Sequence, residues 1–87
     1  MSETQTQELL SRLAKIEGHI RAISQMVETG RSCPEVLLQI AAVRSALNKV
    51  AKMLLKEYAQ QNLVDAAQGG NLEEEIAHLR SALDSVI

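Results

Sequence analysis

The sequence predicts an all-α protein: a three-helix protomer with a long central helix that finishes its packing against other copies. Three observations carry this. Apolar residues recur at alternating spacings of four and three along most of the chain. Helix breakers concentrate at two places, near Gly30–Pro34 and at Gly69-Gly70. The 87 residues include no Phe, no Trp and one Tyr, so the core is aliphatic and thin. Such a core is marginal below about 100 residues unless subunits share it.

The first helix is expected at about 5–28. Its stripe is Leu9, Leu13, Ile16, Ile20, Ile23 and Val27, a heptad seam. Thr4 with Gln7 three residues on reads as a capping box. Thr29-Gly30 reads as the stop, with Gly30 in the left-handed position.

The second helix is expected at about 34–67. Ser32-Cys33-Pro34-Glu35 offers a cap, an early proline whose missing N–H costs nothing there, and Glu at the third position if Ser32 is the cap. Val36, Val43 and Val50 recur at seven, as do Ile40, Leu47 and Leu54. At 1.5 Å per residue the helix would run roughly 50 Å, more than the diameter of a compact domain of this length. An apolar face that long calls for a second chain. Gly69-Gly70 ends it, and Asn71 with Glu74 caps the third helix, expected at about 72–86. Leu72, Ile76, Leu79, Leu83 and Val86 form its stripe, with Glu73, Glu74 and Glu75 in a solvated first turn. The expectation is a single domain that assembles as a helical-bundle dimer or tetramer.

Composition excludes several functions. One cysteine excludes a disulfide framework and an all-cysteine zinc site. No run of 18 apolar residues suggests a membrane span and no secretory signal is visible, so a cytoplasmic protein is expected. Two histidines and one cysteine pair no nucleophile with a base, so an enzyme is not expected.

The net charge of −2 is unevenly spread. Residues 1–11 carry −2, residues 12–56 carry +5 and residues 57–87 carry −5. A basic middle suits a polyanion. Arg12, Lys15 and His19 share a face of the first helix, with His19 expected toward solvent. Lys49, Lys52 and Lys56 share a face of the second. No helix-turn-helix, zinc finger or stacking aromatic is present, so any DNA contact would come from a composite helical surface reading phosphates and shape.

Cys33 is the sharpest single feature. It falls at the start of the long helix, where unpaired N–H groups and the helix dipole favour a thiolate. Arg31 would act in the same sense and Glu35 against it. The alternative is a small, buried, inert residue.

The stretch Arg12-Leu13-Ala14-Lys15-Ile16-Glu17-Gly18-His19-Ile20-Arg21-Ala22-Ile23 resembles the R-L-x-R-I-E-G-Q-V-R-G-I opening of the CsoR/RcnR/FrmR family of bacterial repressors. The likeness continues through Met26-Val27-Glu28, Cys33, Val36-Leu37, the run from Gln39 to Val50, and Leu54-Leu55. It implies a dimer of dimers that binds double-stranded operator DNA without a helix-turn-helix and is released by an effector of metal, formaldehyde or sulfur stress. It implies a DNA face of Arg12, Lys15, Arg21, Arg44 and Lys49, to which the basic stripe adds Lys52 and Lys56.

At the effector site the sequence departs from the family. In the copper branch the cysteine is joined by a His and a second Cys from the neighbouring protomer. Those positions are Tyr58 and Asn62, and phenol and carboxamide are poor ligands for Cu(I). The histidines of the nickel/cobalt branch are absent, and so is the second cysteine of the sulfur branch. The formaldehyde branch uses the chain's amino terminus, which removal of Met1 would place on Ser2. Cys33, Tyr58, Asn62 and Ser2 are thus the candidate effector-sensing residues, with Cys33 the one candidate metal ligand. No cofactor is expected from the residues themselves. The leading expectation is a repressor released when an aldehyde, another electrophile or a reactive sulfur species modifies Cys33. The alternatives are a repressor responding to Cu(I), Zn, Ni or Co through Cys33 with non-standard ligands, and a helical interaction protein that binds no DNA.

Overall fold

The computed structural model describes residues 1–86, apart from the side chains of Ala66, Ala67 and Val86. Val86, expected to close the third apolar stripe, is therefore a side chain outside the described residues. The elements are α1 (Glu3–Glu28), α2 (Cys33–Ala67) and α3 (Leu72–Val86), with no strand among the described residues. The chain forms two compact units, Met1–Val50 and Ala51–Ile87. The first holds α1 and the opening half of α2, the second the rest of α2 and α3. No helix of the described residues is long and apolar enough to cross a membrane.

Each helix end follows local chemistry. α1 begins two residues earlier than its apolar stripe suggests, and its capping box is Ser2 with Gln5 rather than Thr4 with Gln7. The Gln5 N–H donates to Ser2 Oγ at 3.1 Å and the Ser2 N–H donates to Gln5 Oε1 at 2.8 Å. Both pairs fit the same S/T-x-x-Q pattern. The outer one prevails because it keeps another backbone bond, from the Thr6 N–H to the Ser2 carbonyl at 3.0 Å.

α1 ends as expected. Gly30 has φ +74°, and the Arg31 and Gly30 N–H groups close back on the Met26 and Val27 carbonyls at 2.9 and 3.2 Å. α2 starts at Cys33, one residue before the expected proline. Ser32 Oγ accepts weakly from the Glu35 N–H at 3.4 Å. Gly69 (φ +95°) closes α2, with the Gly70 N–H on the Asp65 carbonyl at 2.9 Å. Asn71 Oδ1 caps α3 through the Glu74 N–H at 3.2 Å.

The buried apolar core is Leu9, Ile16, Val43 and Val50, all in the first unit. This refines the expected seam. Leu9, Ile16 and the half-buried Ile23 point inward on α1, and Val36 (half-buried), Val43 and Val50 do so on α2. The interleaved set, Leu13, Ile20 and Val27 with Ile40, Leu47 and Leu54, remains exposed. One heptad position of each helix is satisfied inside the chain and the other faces out. In the second unit, among the described residues, the buried side chain is polar: Asn62, 7 % exposed. Leu79 and Leu83 are half-buried, while Leu72 and Ile76 are exposed.

Candidate nucleic-acid interface and effector cysteine

Two of the basic residues of the first unit, Arg12 and Lys15, line a groove of about 450 Å³. α1 lines it with Glu8, Ser11, Arg12, Lys15, Ile16 and His19, and α2 adds Ala46. These α1 residues recur every three or four positions, so the helix presents them on one side. His19 is not the solvent-facing residue its neighbours suggested. It is half-buried, with Nε2 2.7 Å from Gln39 Oε1 of α2, the ring N–H donating to the amide oxygen in the corresponding tautomer. A polar link of this kind between packed helices has no periodic signature, and Gln39 carried no signal in the sequence beyond its place in the family motif.

Arg12 is half-buried at the groove. Its Nη2 lies 3.4 Å from Glu8 Oε1, and its Nε is shielded from water with no hydrogen-bond partner. Lys15 is exposed. Arg21 is exposed and paired with Glu17 at 3.1 Å. Arg44, Lys49, Lys52 and Lys56 are all exposed on α2. Exposed pairs one helical turn apart are worth a few tenths of a kcal/mol, roughly 0.3–0.5. They leave the arginines free to exchange a carboxylate for a phosphate.

Cys33 carries a free, exposed thiol at the first residue of α2. The neighbouring guanidinium is engaged elsewhere, Arg31 Nη1 binding Glu35 Oε2 at 3.0 Å. Ser2 is the cap of α1. Tyr58 is 37 % exposed. Asn62 lines a small open pocket of about 60 Å³ together with Ala59, Leu63, Leu72, Glu75, Ile76 and Leu79. Its Nδ2 is buried without a partner. Glu75 is half-buried, unlike the exposed Glu73 and Glu74, so the acidic turn is not uniformly solvated. Among the described residues no group of three or more His, Cys, Asp or Glu side chains could hold a metal ion.

The described residues thus form three helices without a strand, with basic groups exposed on two of them and one thiol at a helix start. A family model described as "Metal-sensitive transcriptional repressor" matches residues 5–85, and the chain belongs to that family. It is 38 % identical over 78 residues to the copper-sensing transcriptional repressor CsoR of Bacillus subtilis, covering 90 % of this chain and 77 % of that protein. It is 32 % identical over 81 residues to the transcriptional repressor RcnR of Salmonella typhimurium, covering 93 % and 90 %. Among solved structures it resembles the nickel-responsive transcriptional regulator InrS. The TM-score is 0.84 at 48 % identity, over 93 % of this chain and 91 % of that one.

Proposed function

We propose that this chain is a cytoplasmic, operator-binding repressor that assembles as a dimer of dimers and leaves DNA when a metal ion acts at Cys33. The observation carrying the DNA half is the exposure of Lys15, Arg21, Arg44, Lys49, Lys52 and Lys56, with Arg12 at the groove. Each phosphate neutralised by such a group releases counterion, which supplies affinity and makes it salt-dependent. Sequence preference would then come from DNA shape and a few base-edge contacts. Assembly is supported by the outward heptad set on α1 and α2.

The metal half is supported by the family and by relatives that sense copper and nickel. A cysteine thiolate suits soft and borderline ions. The two further positions do not fit a Cu(I) set: Tyr58 offers a phenol, and Asn62 a carboxamide buried against apolar walls. An ion at Cys33 therefore needs donors other than that pair. The second reading is a thiol-reactive inducer, an aldehyde, another electrophile or a reactive sulfur species. It is favoured by the free, exposed thiol of Cys33.

Anaerobic titration with Cu(I), Zn(II), Ni(II) and Co(II), read beside release of a duplex from upstream of its own gene, separates them. Binding tighter than micromolar that frees DNA, and loses both effects in Cys33→Ala, is the expected result. No such binding, with Cys33-dependent release by formaldehyde or a persulfide and a matching mass increase, transfers the function to the second reading. A protein with no salt-dependent affinity for the duplex is a helical interaction module instead.

A further inference from the structure

We propose that the groove beside α1 is a seat for one phosphate of the DNA backbone, and that Glu8 holds that seat in the free protein. The proposal rests on the operator-binding reading and names one contact within it. Three donor-bearing side chains line the groove: the Arg12 guanidinium, the Lys15 ammonium and the Ser11 hydroxyl. Glu8 is the one acidic residue among those lining it. The imidazole of His19, held by Gln39, forms a fixed wall rather than a mobile donor. A volume of about 450 Å³ admits a phosphate with several of its waters, each taking about 30 Å³.

The present partner of Arg12 is a poor one. The contact to Glu8 at 3.4 Å is longer than those of Arg21 and Arg31 to their carboxylates, at 3.1 and 3.0 Å. It is also longer than the roughly 2.7–2.9 Å of a good charge-assisted bond. A phosphate brings more acceptor oxygens and a geometry the guanidinium fork matches. It would draw Arg12 and Lys15 together and expel the Glu8 carboxylate to water, which is reachable because Glu8 is exposed. Glu8 thus mimics and competes with the backbone, lowering affinity for DNA in general.

The test compares the parent with Arg12→Gln, Lys15→Gln, Glu8→Gln and Glu3→Gln by fluorescence anisotropy on the upstream duplex across a salt series. Arg12→Gln and Lys15→Gln should each flatten the slope of log affinity against log salt by about one per groove engaged. Glu8→Gln should tighten binding by about twofold per groove at low salt, the worth of no longer having to displace an i,i+4 carboxylate from Arg12. Glu3→Gln makes the same change of net charge outside the groove and should do little. DNA binding with an unchanged slope in both cation variants, or equal gains from Glu8→Gln and Glu3→Gln, overturns the seat while leaving the repressor reading intact. If the parent binds no DNA, the repressor reading fails. Inorganic phosphate then decides the seat, and amide NMR signals of Ser11 and Lys15 that stay unmoved on its addition overturn it.

Discussion

Asn62 holds a polar group where the surroundings are apolar. Its Nδ2 is shielded from water, has no hydrogen-bond partner, and lies by a pocket lined mainly by aliphatic side chains. Leucine has nearly the same length and needs no partner. Asn62→Leu therefore removes an unsatisfied donor, whose burial costs about 1–3 kcal/mol. The pocket beside it is open to solvent, with Leu63, Leu72 and Ile76 exposed, so the gain rests on removing the donor and not on filling space. The net expectation is a gain of about 1–3 kcal/mol per protomer. In a chain this short each kcal/mol moves the midpoint by about 4–8 °C. Urea unfolding followed by circular dichroism, with m unchanged, measures it. A variant that unfolds earlier than the parent refutes the reasoning, because it would mean that Nδ2 has a partner in the working protein. An accompanying loss of effector response would identify that partner with the effector.

Leu47→Glu places a charge on the outward heptad set, and the protein should sediment as a smaller species with its helix content kept. Burial of each such leucine between chains is worth about 1.5–3 kcal/mol. Ser2→Ala removes the α1 capping box, at a cost of about 1 kcal/mol. Faster amide exchange at Gln5 and Thr6 should report it. Gly30→Ala meets open space at its new Cβ but keeps φ +74°, so the backbone alone should cost about 1–2 kcal/mol of stability in urea. Unaltered stability would mean that the turn relaxes to another closure.

Much of the fold was legible because its signals are local. Gly30, Ser32, Gly69 and Asn71 end or begin helices through bonds that span five residues or fewer, and each does so in the structure. The α1 cap was misplaced because Ser2-Gln5 and Thr4-Gln7 satisfy one pattern, and periodicity alone does not rank them. The heptads were legible, but not which seam is used inside the chain. That choice belongs to how α1 meets α2, and it turns Leu9 and Ile16 inward while leaving Leu13 and Ile20 out. His19 shows the same limit. Its spacing from Arg12 and Lys15 put it on the basic face, and only the approach of Gln39 makes it half-buried. At the effector positions the residue types were readable, while the burial of Asn62 and the engagement of Ser2 in a cap are tertiary and terminal facts.

If the proposed assembly buries the exposed Leu13, Ile20, Val27, Ile40, Leu47 and Leu54, folding and copy number become one problem. Whatever binds the native form and not the unfolded chain stabilises it by mass action, and in the proposed assembly that ligand is a second copy of the chain. The first few molecules made are then the least durable ones. Dilution should lower the melting temperature, and a cell that makes little of this protein would hold part of it in a form open to proteolysis.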